Sequence, residues 1–203
     1  MEPTINSAVF CGTMAEPPSF SHENHGRRFF RFVLDVPRLS GTSDLLPVLA
    51  AEDVLSQADV NDGDAIRVTG QLRSFNSRSE NRRRLVLSVF ASAVENCSAE
   101  PLNDVCLTGA ICRTPVFRRT PLGREICDLM LAVSRRYHRT DYVPCILWGK
   151  AAQDAAQQPV GTRMELHGRL QSREYLKVLE DRSEQRVTYE LSVTDAYLLP
   201  PGY

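Results

Sequence analysis

The sequence predicts an all-β chain of two tandem five-stranded barrels, each with one short helix between its third and fourth strands. Three observations predict it. The first is an internal repeat: shifting residues 6 to 48 by 97 positions brings Asn6, Gly12, Pro18, Gly26, Arg27, Leu34, Val36, Arg38, Asp44 and Pro47 onto Asn103, Gly109, Pro115, Gly123, Arg124, Leu131, Val133, Arg135, Asp141 and Pro144. One extra residue later, Gly63, Gly70, Leu72 and Ser74 meet Gly161, Gly168, Leu170 and Ser172, and after a further insertion Leu87-Ser88-Val89 meets Leu191-Ser192-Val193. A repeat of this length is a whole domain. The second observation is alternation of apolar and polar residues, the period of a half-buried strand. The third is a lone Ala- and Gln-rich segment, Lys150 to Gln158, in the middle of the second copy's strand series.

The second copy is the clearer one. Val105, Leu107 and Ile111 alternate with Cys106, Thr108 and Ala110, giving a first strand in which Gly109 marks a bend. The segment Arg113 to Gly123, with Pro115, Thr120-Pro121 and Gly123, reads as a loop. Arg124 to Val133 is a second strand, with Cys127, Leu129, Leu131 and Val133 on one face; Phe30, Phe32, Leu34 and Val36 match them in the first copy as the same core wall. A basic connection, Ser134 to Thr140, leads to a third strand, Tyr142 to Trp148. There Val143, Cys145 and Leu147 face one way and Tyr142, Pro144, Ile146 and Trp148 the other. After Gly149, Lys150 to Gln158 is composed of good helix formers and stops at Pro159. Strands Arg163 to Leu170 and Val187 to Val193 flank a charged hairpin segment, Gln171 to Arg186, expected to project from the body. This order is that of an OB-fold, the oligonucleotide/oligosaccharide-binding barrel. The expected division is a degenerate barrel over residues 1–95, a linker over 96–102, a barrel over 103–199, and a C-terminal end over 200–203.

The totals exclude several classes. With 203 residues and 42% hydrophobic content, the chain can bury two small cores and is not a disordered tail. No apolar run approaches the ~20 residues needed to span a bilayer, and the start is unlike a signal peptide, so a cytoplasmic, nucleoid-associated location is expected. Among six cysteines no Cys-x2-Cys pair occurs, His22 and His25 sit in a polar loop, and His138 and His167 have no evident partner. Buried thiols and no metal are expected, since zinc normally wants at least three protein ligands. No phosphate-cradling glycine loop or local nucleophile–base pattern is present, so neither an enzyme nor a cofactor is expected.

Net charge is −1, but the charge is segregated. From Leu39 to Ile66 there is no Lys or Arg against six acids (Asp44, Glu52, Asp53, Asp59, Asp62 and Asp64). From Asn103 to Lys150, eight bases (Arg113, Arg118, Arg119, Arg124, Arg135, Arg136, Arg139 and Lys150) face four acids. Interleaved with those bases are Tyr142 and Trp148 on one strand face, Tyr137 in the basic connection and Tyr175 at the root of the hairpin. Aromatic faces stack bases whatever their identity, while Arg and Lys follow phosphates, and duplex bases offer no open face. The combination therefore points to single strands. The competing structural reading keeps Tyr142 at a dimer contact and Trp148 at the barrel end.

The stretch Asn103-Asp-Val-Cys-Leu-Thr-Gly109, with Arg113, Pro115, Arg118, Thr120-Pro121 and Gly123, then Leu131-Ala-Val133, Asp141-Tyr142 and Leu147-Trp148-Gly149-Lys150, resembles the bacterial single-stranded DNA-binding protein family in its tandem two-barrel form. The resemblance covers nearly all of residues 103 to 199. It implies that Tyr142, Trp148, Tyr137 and Tyr175 stack bases of single-stranded DNA, in replication, recombination or repair. It also implies a homodimer that presents four barrels. Family members typically finish with an acidic tip that docks replication or repair proteins; this sequence stops at Leu199-Pro-Pro-Gly-Tyr203, so recruitment through such a tail is not expected. The first copy departs at the third strand: Leu45, Ala51, Glu52 and Asp53 stand where the second copy has Tyr142, Trp148, Gly149 and Lys150. Its Arg27, Arg28 and Arg31, and Arg73, Phe75, Arg78 and Arg82 to Arg84 on its hairpin, leave it either a weaker subsite or a structural, dimerising role. The alternative class is a primosome-like or mobile-element accessory protein whose first barrel docks a protein while the second touches nucleic acid weakly.

Overall fold

A computed structural model describes residues 5–58, 60, 63–79, 82–98, 100–178 and 183–200, with the backbone alone for 77–79, 82–84, 175–178 and 183–186. The first copy runs β1 (Asn6–Met14), β2 (Ser19–Asn24), β3 (Arg27–Pro37), β4 (Ser43–Ala51), α1 (Glu52–Ser56), β5 (Ala65–Ser79) and β6 (Arg82–Asn96). The second repeats the order as β7 (Leu102–Ile111), β8 (Val116–Arg119), β9 (Glu125–Arg135), β10 (Arg139–Trp148), α2 (Gly149–Ala156), β11 (Arg163–Val178) and β12 (Ser183–Leu198).

Each copy closes on itself. In the first, the ring is β1–β3–β4–β6–β5 and back to β1, with β4 and β6 joined in parallel at Val48 and Val89. In the second it is β7–β9–β10–β12–β11 and back to β7, with the parallel step at Cys145 and Leu191. Closure satisfies backbone groups that an open edge would leave bare, and the fold is the all-β pair of five-stranded OB barrels that the strand order predicts. The inward residues fill each barrel: Phe10, Leu34, Leu46, Ile66 and Leu72 in one, Leu107, Leu131, Leu147, Leu166 and Leu170 in the other, all fully buried.

Several local expectations shift. The loop 113–123 contains an additional short strand, β8, laid against β9 from Val116↔Asp128 to Arg119↔Glu125, a pairing invisible to alternation because all four of its residues are exposed. The charged hairpins are formed by β11–β12 and β5–β6 themselves, whose strands run on beyond the ends that alternation marks because polar residues fall on both faces there. Phe30 does not join the core wall: although alternation puts it on the face of Phe32, Leu34 and Val36, it is only half-buried and packs edge-on against Phe20 of β2, 5.9 Å between ring centroids, while Phe29 is buried outside the barrel core against His22 and Phe90.

Each barrel has a bulge at corresponding glycines, between Thr69 and Gly70 and between His167 and Gly168. A Cβ at Gly70 or Gly168 would run into the carbonyl oxygen of Phe90 or Ser192 on the neighbouring strand, so the close approach requires glycine there. Side-chain amides brace the same strands: Asn103 donates to Leu170 O at 2.8 Å and accepts from Leu170 N at 2.8 Å, and Asn6 repeats both bonds with Leu72.

The two barrels are not merely tethered. β1 pairs antiparallel with β7 from Asn6↔Leu107 to Cys11↔Leu102, making one continuous twelve-stranded sheet. Two buried carboxylates complete the seam. Asp44 of β4, 1% exposed, accepts the backbone N–H of Ser172 at 2.7 Å and pairs with Arg38. Asp141 of β10, fully buried, accepts the backbone N–H of Ser74 at 2.7 Å and lies 3.2 Å from Arg73 and 3.1 Å from Arg135.

Candidate nucleic-acid interface

Trp148 ends β10 on its outward face, 37% exposed, with Val143, Cys145 and Leu147 buried behind it. Its ring is fixed by a 3.2 Å hydrogen bond from Nε1 to Ser192 Oγ on β12. Beside it opens a groove of about 240 Å3 lined by Arg118, Thr120, Ile126, Ile146, Gln171, Arg173, Glu190 and, reaching across the seam, Arg38. The floor is apolar, from Ile126 and Ile146, and the walls are basic. An aromatic edge above an apolar floor between cations can take a planar, uncharged ring with an anionic link on either side.

Tyr142 stands six residues earlier on the same face, 43% exposed, and its backbone N–H donates to Ser74 Oγ at 2.7 Å. The outward face of β10 therefore runs from the groove to the seam. Tyr137 is placed by an unusual turn. Arg136–His138 form one turn of 3-10 helix in which Tyr137 has φ 61° and ψ 38°, left-handed backbone that a non-glycine residue rarely holds, and the ring is 89% exposed at the tip. The Tyr175 side chain lies outside the described residues, although the backbone places it on β11 opposite Arg186.

The bases divide. Arg113, Arg124, Arg136 and Arg139 are exposed. Arg118 faces the groove in a bidentate pair with Asp128, 2.5 Å at the short contact, and that hydrogen bond holds its guanidinium above the ordinary range. Arg119 pairs with Glu125 at 2.7 Å, and Lys150 with Asp154 at 2.6 Å one turn along α2. The cation of each pair is exposed, and such pairs contribute little in water. Arg135 has another task. It turns toward the buried Asp141 in the seam, and burial, the largest effect on it, lowers its pKa.

Sequence reasoning did not single out Gln171, Arg173 or Glu190. Arg173 and Glu190 sit on the adjacent strands β11 and β12, Arg173 in the charged hairpin segment and Glu190 within the strand expected over Val187 to Val193. Glu190 is the one acid lining the groove, and burial raises its pKa, partly offset by Arg173. His167 also has partners: Nε2 lies 2.8 Å from Glu165 Oε1 and 3.6 Å from Cys106 Sγ.

The corresponding surface of the first barrel is built differently. Ala51, 2% exposed, replaces the tryptophan, and Glu52 and Asp53 hold Arg28 and Arg27 at 2.6 and 2.9 Å. Arg73, expected to decorate the hairpin, is bound into the seam at Asp141. Arg78 and Arg82 to Arg84 have side chains outside the described residues.

A closed barrel with an aromatic and basic groove beside its third strand is the construction of an OB-fold ligand-binding protein. The profile of the single-strand binding protein family matches residues 102–199. The single-stranded DNA-binding protein B of Bacillus subtilis (strain 168) is 34% identical over 80 residues, 36% of this chain and 71% of that protein. That of Halalkalibacterium halodurans is 32% identical over 111 residues, 50% of this chain and 63% of that relative's length. The chain belongs to the single-strand binding protein family, a family of binding proteins and not of enzymes. Its fold matches the crystal structure of the wild-type single-stranded DNA-binding protein from Thermus aquaticus with a TM-score of 0.80, at 20% identity, over 98% of this chain and 95% of that one. Among the described residues no helix is long and apolar enough to cross a membrane.

Proposed function

We propose that the chain binds single-stranded DNA chiefly through the second barrel and keeps it unpaired and protected during replication, recombination or repair. The observation that carries this reading is the groove beside Trp148, where an exposed indole, an apolar floor and the guanidinium groups of Arg118 and Arg173 meet. Bases stack on Trp148, and on Tyr142, Tyr137 and Tyr175 along the same path. Phosphates exchange with the carboxylates that pair Arg118, Arg119 and Lys150, and meet Arg113, Arg124, Arg136 and Arg139 directly.

The first barrel serves the assembly more than the strand. Its Arg27 and Arg28 are neutralised by Asp53 and Glu52, and it lacks the indole. Two such chains pair to present four barrels. Domain limits of 1–95 and 103–199 around a linker at 96–102 belong to the same reading.

The test is titration of the intact chain with oligo(dT) at two salt concentrations, reading fluorescence of its single tryptophan, alongside native mass. Quenching that weakens at the higher salt, on a species of twice the chain mass, is expected. No binding at low salt would overturn the single-strand reading and favour protein docking; a monomeric mass would overturn the four-barrel assembly alone.

A further inference from the structure

On the outer face of the second barrel, away from the aromatic groove, Cys106 of β7 and His167 of β11 stand directly opposite each other, and Glu165 lies two residues along β11 on the same face. Their ligand atoms all lie within 4.8 Å of one another. His167 Nε2 is turned toward both partners, 3.6 Å from Cys106 Sγ and 2.8 Å from Glu165 Oε1. We propose that Cys106, Glu165 and His167 form a binding site for a borderline-soft divalent cation of the zinc type, with water as the fourth ligand.

The geometry fits without rearranging the backbone. Bond lengths of about 2.3 Å to sulfur and about 2.0 Å to nitrogen at a tetrahedral centre put the two ligand atoms about 3.5 Å apart, and the sulfur–nitrogen separation is 3.6 Å. The carboxylate needs only to swing outward from its present hydrogen bond. Thiolate, imidazole and carboxylate together suit zinc over magnesium or calcium, which prefer oxygen alone. All three residues are half-buried, so solvent reaches the remaining coordination position. The His167 ring also packs at right angles to the Tyr197 ring, 5.9 Å between centroids.

The repeat supplies an internal comparison. In the first barrel Val9 and Thr69 stand opposite each other as Cys106 and His167 do, and Arg67 takes the place of Glu165. None of those three side chains can hold the ion as a set. The donor set therefore belongs to the second barrel alone, and an occupied site would tie β7 to β11 beside the seam with β1.

Reduced, chelator-stripped full-length protein titrated with Co2+ tests this. The expected result is one Co2+ per chain with the intense visible absorption of a tetrahedral thiolate site, displaced by Zn2+ at one equivalent. Cys106→Ser should abolish the thiolate bands, and His167→Gln should weaken binding at least tenfold, both with unchanged circular dichroism. Cys112→Ser should behave as the parent. Bands that survive Cys106→Ser, octahedral Co2+ without thiolate character, or binding only at metal concentrations far above that of the protein would overturn the assignment. If both site variants unfold, ultraviolet charge-transfer absorption and extended X-ray fine structure of the Co2+-loaded parent decide: one sulfur ligand supports the site, and none or more than one overturns it.

Discussion

Asp141 of the second barrel accepts the backbone N–H of Ser74 in the first at 2.7 Å, and Asp44 of the first accepts that of Ser172 in the second at the same distance. The two bonds are equivalents under the repeat, so each barrel hands one buried carboxylate to a strand of the other. Arg38 answers Asp44, and Arg73 and Arg135 answer Asp141, so neither charge is buried unpaired. The seam is thus held, beside the β1–β7 ladder, by the same device used twice.

Asp141→Ala should cost roughly 3–5 kcal/mol of stability, because it strands two partly buried guanidinium groups and one backbone donor. Denaturant unfolding of the variant measures it. A loss under about 1 kcal/mol would mean that the carboxylate contributes nothing net at the seam.

Removing the indole tests the stacking role. Trp148→Ala should weaken oligo(dT) binding by about 1–3 kcal/mol, with Trp148→Phe in between. Filter binding or anisotropy with labelled DNA reads this without relying on tryptophan emission. Unchanged affinity in the alanine variant would move the bases off β10.

Arg135 and Arg136 are neighbours in sequence with opposite expected phenotypes. Arg136→Ala should reduce the log–log salt slope of binding by about 0.7 while leaving stability alone. Arg135→Ala should lower the unfolding midpoint and leave the salt slope unchanged, since its guanidinium already faces Asp141. Finding the two effects exchanged would contradict the division between seam and groove.

Glu190 should make DNA binding depend on pH. Its pKa is raised by burial, so as pH falls through that raised value the side chain becomes neutral before ordinary glutamates do. An ionised carboxylate in the groove repels phosphate, so DNA binding favours the protonated form. Affinity should therefore rise as pH falls across that window. Glu190→Gln should bind more tightly at neutral pH and lose this part of the pH dependence; a variant with the parent's pH profile would show that Glu190 does not meet the backbone of the DNA. The sign for stability is the same: the folded state holds the proton more tightly than the unfolded chain, so this residue's contribution weakens as pH rises through its raised pKa.

Salt and pH series should be run on the same preparation, because Arg118 and Glu190 line one groove and their charges are coupled.

The sequence by itself determined the barrels. Repeat register, alternation in β3 and β9, and a lone helix after the third strand all express one local rule, that a half-buried strand must alternate, and the rule held wherever one face was polar. It also marked Trp148 and Tyr142, because an outward aromatic on an otherwise buried strand breaks that pattern. The rule failed at β8, whose four residues are all exposed, stopped short of the hairpin extensions of β5–β6 and β11–β12, where polar residues alternate with polar ones, and over-reached at Phe30, where β3 runs past the end of the core. Only the tertiary structure decided what depends on side chains distant in the chain: that β1 and β7 share a ladder, that Arg135 and Arg73 serve a buried carboxylate, and that Glu190 enters the groove. It alone placed Cys106 beside His167, 61 residues away. Spacing along the chain carries no record of such pairs, because closing a barrel sets them by strand order and shear, which no local pattern encodes.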